Sequence, residues 1–375
     1  MNMQKNRAVY IDKTDLCCSA GLYKDELFQS IILGDTGIRY YEDYLIDGST
    51  CAIGKIVSTG AFDTLMLNRV KSILESSDLD NFHNTFLVVG TSVGGMAWAE
   101  DKFIKTEGSY RDIVLEKQSI YSISHILNRE FKFKDSITFS TACTSSSNAI
   151  VFAKELIENG AYDTVLVVGA DSISYTTVNG FNALGVLSNN PCRPFDSSRD
   201  GMSVSEGIGV ILLSSKTTDI KLLGVGCSSD AYNITHPHPE GKGAILAMQN
   251  ALENAGISSK EIEYINTHGT GTIANDKAEG EAILELFSHN PWVSSTKSIT
   301  GHTLGACGAI ELIISAMVLQ KGIVPKNFNL KNQELEELNL TKENISIDIE
   351  YVLSNAFAFG GNNVSIILQR VKSED

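Results

Sequence analysis

The sequence has no C-x-x-C pair, although it holds seven cysteines: Cys17, Cys18, Cys51, Cys143, Cys192, Cys227 and Cys307. That argues against a zinc site and against a small disulfide scaffold, and it predicts free thiols in a reducing compartment. No segment reaches the roughly 18 uninterrupted apolar residues of a membrane span, so no membrane insertion is expected. The first residues, Met1 to Asp12, are polar, contain Lys5 and Arg7, and lack the apolar core of a signal peptide. A soluble, cytoplasmic protein is the expectation. There is also no low-complexity run and no linker rich in proline or glycine. Positive charge is in short supply: 30 Lys and Arg against 45 Asp and Glu leave a net charge of −15. A field of that sign repels nucleic acid and anionic membrane.

What the chain does have is length and apolar content. With 375 residues, 43% hydrophobic and 20% charged, it falls in the globular class and can bury a sizeable core. Short β-branched and aromatic runs (Thr85 to Val89, Ile137 to Ser140, Thr164 to Val168, Gly209 to Leu213, Ile262 to Ile265, Val364 to Leu368) alternate with helically spaced ones. The helical stretches are Arg69 to Leu74, Ala149 to Ile157, Ala244 to Leu252 and Ile310 to Leu319. The class expected is α/β with buried strands.

The chain also repeats itself. Ser136 to Cys143, followed by Ala149-Ile150 and Gly160, reads like Ser298 to His302, followed by Ala309-Ile310 and Gly322, each as strand, tight turn and helix. Phe86 to Thr91 resembles Tyr264 to Thr270, and Glu206 to Leu213 resembles Gly360 to Leu368, in the same order. Repeated order predicts a duplicated α/β unit, with residues 1–215 as one half and 216–375 as the other.

Cys143 follows a strand and precedes an amphipathic helix, and Thr144 to Asn148 offer N-cap side chains. A thiol at a helix N-terminus is expected to ionise readily, beside N–H groups that can hold an oxyanion. His268 stands in Asn266-Thr-His-Gly-Thr-Gly-Thr272, where glycines let the backbone approach a ligand. His302 stands before the small residues Gly305, Ala306, Gly308 and Ala309, which let a helix pack tightly below the site, and the duplication places it near the Cys143 turn. Cys307, in that small-residue stretch, reads as packing. In Asn355-Ala-Phe-Ala-Phe-Gly-Gly-Asn-Asn363, Phe357, Phe359 and Gly360 form either an aromatic hairpin or a cover for a greasy pocket.

These motifs, with Arg193-Pro-Phe-Asp196, Arg199-Asp-Gly201, Glu206-Gly207, Asn275-Asp276 and Lys297, together resemble the β-ketoacyl-[acyl carrier protein] synthases of thiolase fold, from about Arg7 to Leu368. The resemblance implies duplicated halves in an α-β-α-β-α stack. It also implies an acyltransferase that performs decarboxylative Claisen condensation in fatty acid, polyketide or polyene synthesis, with Cys143 as nucleophile and His268 and His302 as donors to a malonyl thioester carbonyl. The N–H groups of Cys143 and Phe359 map onto the oxyanion hole, Phe359 onto the gate, and Lys297 with Glu311 onto the pair that holds His302. Asp276 maps onto a supporting carboxylate, and Thr270, Thr272, Phe357 and Gly360 onto substrate contacts. No metal or other cofactor is implied, since phosphopantetheine arrives on the carrier. The implied partners are acyl carrier protein and a second subunit, as homodimer or as heterodimer with a paralogue.

Two departures stand out: Ala358 replaces the usual glycine before the gating phenylalanine, and the stretch from Val57 to Ile137 is short. Arg129, Lys132 and Lys134 are candidates for a basic carrier-docking patch. Three rivals remain: a non-catalytic chain-length partner subunit, a thiolase-type enzyme using Cys307 as base, and a cysteine hydrolase.

Overall fold

The computed structural model describes residues 7–77, 79 and 82–372, so Lys5 lies outside the described part. The expected strands and helices are present, several of them longer than the pattern suggested, such as Thr164–Asp171, Gly207–Ser214 and the helix Phe62–Ser76.

Among the described residues, ten strands form one ladder. From edge to edge the order is Trp292–Ser294, Tyr264–Asn266, Tyr351–Phe357, Asn362–Arg370, Ile220–Ser229, Tyr10–Cys18, Gly207–Ser214, Thr164–Asp171, Phe86–Gly90 and Ser136–Phe139. Each half contributes five strands in the same spatial order, third, second, fourth, fifth, first, with the same parallel and antiparallel pairings. The halves meet where Tyr10 pairs with Lys221. The fold is a duplicated α/β unit.

Two of the three sequence correspondences fall on equivalent strands. The third does not: Lys297–Thr300 is a turn of helix, and the true counterpart of Ser136–Phe139 is Trp292–Ser294. The second half has a longer path from that strand to its central helix, and this extra segment carries both Lys297 and His302. The equivalence returns at the helix entrance, where Ala142 and Leu304, each three residues ahead of its helix, both have φ 53°.

Strand alternation builds the layers. Val165 and Val167 point into a central core, with Leu166 and Val168 pointing to an outer one, as the two-residue period requires. Helices Ser145–Glu158 and Cys307–Lys321 fill the central core between the two half-sheets, because Ile150, Ile157, Ile310 and Ile314 pack there with strand residues of both halves. Helix Phe62–Ser76 covers one outer face and helices Lys242–Ala255 and Ile273–Leu286 the other, which completes α-β-α-β-α. Residues 304–321 are long and apolar enough to cross a membrane by composition, yet they are mostly buried in this central layer.

The small residues do what the sequence suggested. A Cβ at Gly169 or Gly209 would come within 2.9 Å of Ala309 Cβ, and one at Gly308 within 2.0 Å of Ser147 Oγ. Side chains at these points would push the central helices off the sheet.

Candidate active site

Cys143 sits on a tight elbow. Ala142 before it takes the left-handed φ of 53°, which bulky residues avoid, so the elbow needs outside support. Ser145 Oγ and Ser92 Oγ both donate to the Ala142 carbonyl, at 2.6 and 2.8 Å. Thr144 occupies the cap position, but its side chain does not cap the helix. Its hydroxyl shares its single hydrogen between the Thr141 carbonyl and Asn362 Oδ1, each 2.7 Å away, which ties the elbow to the other half.

His302 Nε2 lies 3.1 Å from Cys143 Sγ. Its Nδ1 accepts the Leu304 N–H at 3.1 Å, which assigns the ring hydrogen to Nε2, on the sulfur side. In the same way Lys297 Nζ donates to His268 Nδ1 at 3.5 Å, leaving His268 Nε2 as a donor. The two rings stand edge to face with centroids 5.3 Å apart. Burial, then the Lys297 charge, holds both imidazoles well below the ordinary histidine range, so both are neutral at pH 7, as neutral donors must be.

Lys297 and Glu311 form a wholly buried ion pair. Burial works against charge on Lys297, but Glu311 and then Cys307 outweigh it and keep the ammonium above its ordinary value. Among the described residues, Glu311 Oε2 has no hydrogen-bond partner.

The expected standing thiolate is not what the structure holds. Burial pushes the Cys143 thiol up to about 11, against the Lys297 charge and the backbone N–H groups of Phe359 and Cys143, which pull it down. With only 8% of the residue exposed, loss of water outweighs these stabilising groups, and the resting group is a thiol. The N–H groups of Phe359 and Cys143 both point at the Cys143 sulfur.

A cavity of about 350 Å³ reaches this cluster from outside. Cys143, His268, His302, Thr270, Thr272, Phe357, Phe359 and Gly360 all line it. Thr270 and Thr272 hydroxyls bond each other at 2.9 Å. Lys297 and Glu311 stand behind its wall. Asp276 is buried and does not line the cavity; its carboxylate accepts the N–H groups of Gly271 and Phe195, so it shapes the threonine loop. Arg129, Lys132 and Lys134 do not line the cavity either.

Sequence reasoning missed two carboxylates. Glu279 accepts the N–H groups of His268 and Gly269, each at 2.8 Å, and burial raises it to about 7. Its signal was the i,i+3 spacing from Asp276 on the helix after the loop. Asp171, at the end of a buried strand, accepts from Thr91, Ser92, Val93 and Gly305, tying the loop beside the elbow to the second helix entrance. An acid ending an apolar run could have pointed to it. Cys307 is more than filler, since its S–H donates to the Cys143 carbonyl at 3.1 Å.

Cys143, His268 and His302 bring ligand atoms within 4.8 Å of one another, as do His268, Cys307 and Glu311, a spacing a metal could use. Both Nε2 atoms of the first set carry hydrogen, and Lys297 already bonds two members of the second. The first set therefore presents two ring N–H groups close to the Cys143 sulfur.

Residues 54–219 match the family described as "Beta-ketoacyl synthase, N-terminal domain", and 220–331 match its C-terminal domain. The chain belongs to the beta-ketoacyl synthase family. The synthase is 29% identical to 3-oxoacyl-[acyl-carrier-protein] synthase 2 of Coxiella burnetii over 98% of this chain and 100% of that one. Against the Staphylococcus aureus (strain COL) protein of the same description it is 35% identical, over 62% of this chain and 61% of that one. Among solved structures, the ketosynthase ApeO in complex with its chain length factor ApeC, from Xenorhabdus doucetiae, superposes with a TM-score of 0.91 at 34% identity, covering 97% of this chain and 98% of that one. A beta-ketoacyl synthase from Burkholderia phymatum gives 0.88 at 27%, covering 98% and 100%. The synthase is an enzyme of the acyltransferase class.

Proposed function

We propose that the protein condenses an acyl thioester with malonyl-[acyl carrier protein] to give a 3-ketoacyl thioester and carbon dioxide. The observation that carries this reading is the pair of neutral Nε2 donors, on His268 and His302, facing the same space as the Cys143 sulfur.

The steps follow from those positions. The thioester's pantetheine arm enters along Thr270 and Thr272, and Cys143 sulfur attacks the acyl carbonyl. The charge on oxygen falls between the N–H groups of Cys143 and Phe359, the pantetheine thiol leaves with the Cys143 proton, and acyl-Cys143 remains. Malonyl thioester then binds with its carbonyl oxygen between the two Nε2–H groups. These stabilise the enolate formed as carbon dioxide leaves, and the new carbanion attacks acyl-Cys143, expelling the thiolate, which regains a proton. No step calls on a metal or a nucleotide.

The partner-subunit alternative is disfavoured because nucleophile, both imidazoles and Lys297 are all in place. A thiolase-type reaction through Cys307 is disfavoured by that sulfur's bond to a main-chain carbonyl. For partners, the reading names acyl carrier protein and a second subunit, homodimeric or paralogous. Its support is Ser136–Phe139, an edge strand with one neighbour and with Ile137 exposed. A stable monomer by light scattering would oppose it. The seven unpaired cysteines are in keeping with the cytoplasm.

The test is to incubate the protein with acyl carrier thioesters and weigh the intact chain. A gain equal to the acyl mass, absent in Cys143→Ala, followed by release of 3-ketoacyl product on adding malonyl carrier, is expected. No gain with any thioester sinks the reading.

A further inference from the structure

An acyl group on Cys143 needs space that the pantetheine arm does not fill. One apolar cluster joins Met202 and Phe359, which line the entry cavity, to Tyr44 and Ile173, which line a second cavity of about 270 Å³. The loop 91–95 touches both sides: Ser92 bonds the Ala142 carbonyl beside the nucleophile, and Gly94 and Gly95 form part of the second cavity's wall. Val93, Phe181 and Phe359 within the cluster are only partly buried, so they can turn aside without opening a core.

The second cavity is not lined as a plain hydrocarbon tail requires. Phe62 and Trp98 give it apolar surface, but Lys55 and Glu206 stand on the same wall. Among the described residues, no carboxylate stands within ion-pair distance of Lys55. Its ammonium lies 5.0 Å from the Tyr44 ring and 5.8 Å from the Tyr41 ring, beside the Tyr44 hydroxyl. Glu206 attracts the Lys55 ammonium from beyond ion-pair distance, while its oxygens accept the Ile56 N–H at 2.6 Å and the Ile173 N–H at 3.4 Å. Asp63 and Asp101 also line the space, as does Lys117, which lies over Trp98. A half-buried ammonium with donors to spare, on the far side of that apolar cluster from Cys143, is placed to receive an acceptor.

We propose that the acyl chain on Cys143 runs through the cluster of Phe359, Ile173 and Tyr44 into this second cavity, and that its far end carries a carboxylate or hydroxyl received by Lys55. This rests on the condensing-enzyme reading above and adds the substrate's terminal chemistry to it.

The experiment compares carrier thioesters of equal chain length ending in methyl, hydroxyl or carboxylate. Acylation of Cys143 is followed by intact mass in the wild type and in Lys55→Met. The wild type should acylate with at least one polar-ended chain about tenfold faster than with the methyl-ended one. Lys55→Met should erase that ratio while acylating normally with the methyl-ended chain, which also shows that the variant is folded. Carboxylate and hydroxyl arms separate the two ends. Equal rates in the wild type, a preference for methyl, or a ratio unchanged in Lys55→Met overturns this inference alone. Absence of labelling by all three chains overturns the condensing reading and this inference with it.

Discussion

His302 Nε2 stands 3.1 Å from Cys143 Sγ because a backbone N–H, that of Leu304, fixes the other ring nitrogen. The ring is thus set as a donor before any substrate arrives. His302→Ala should cut condensation about 10²- to 10³-fold, the usual effect of losing one oxyanion donor. Acyl transfer to Cys143, measured alone by intact mass, should survive at a reduced rate. Equal loss in both half-reactions would contradict the role assigned to the ring.

The protonation of Cys143 has a kinetic consequence. With the thiol pushed up to about 11, the reactive fraction grows about tenfold per pH unit below that value. Alkylation of Cys143 by iodoacetamide should therefore rise steadily from about pH 7 to about pH 10. A plateau below about pH 8 would mean that the helix end ionises the sulfur after all.

Lys297 and Glu311 are both buried, and burial holds the Glu311 carboxyl up at about 7 even beside the ammonium, so removing Lys297 leaves a protonated carboxyl without its partner. Lys297→Met should lower stability by about 1–3 kcal/mol in urea unfolding at about pH 7, the cost of a buried polar group left without its partner. The double variant Lys297→Met/Glu311→Leu should recover most of that stability but not condensation, since His268 Nδ1 has lost its donor. Unrecovered stability would count against the pair as the cause.

The paired glycines after Phe359 differ in what they tolerate. A Cβ at Gly361 would lie 2.3 Å from Asp230 Oδ1 and 2.9 Å from Ala231 N, whereas one at Gly360 meets nothing within 4 Å. Both have positive φ, so Gly360→Ala costs backbone strain of about 1 kcal/mol and little activity. Gly361→Ala should shift the Phe359 N–H and lower kcat at least about tenfold. Similar kcat values for the two variants would remove this N–H from the mechanism.

Cys307→Ala removes a weak S–H bond to the Cys143 carbonyl. Acylation of Cys143 should stay within about threefold of wild type, with a stability loss of about 1 kcal/mol. A loss as complete as that of Cys143→Ala would restore Cys307 as a catalytic base.

The order of elements, the duplication, and the identity of Cys143, His268 and His302 were legible in the chain, because strand and helix periods and local motifs are short-range properties. Tertiary structure decided the rest. Burial by the two halves turned an expected thiolate into a thiol, and no local pattern reports how much water a fold removes. Only folding moved Lys297–Thr300 from an expected strand to a helical turn, set Glu279 and Asp171 under backbone N–H groups, and brought Lys55 to the wall of a second cavity. Each of these depends on partners far away along the chain, and such contacts exist only once both halves have closed on the central helices.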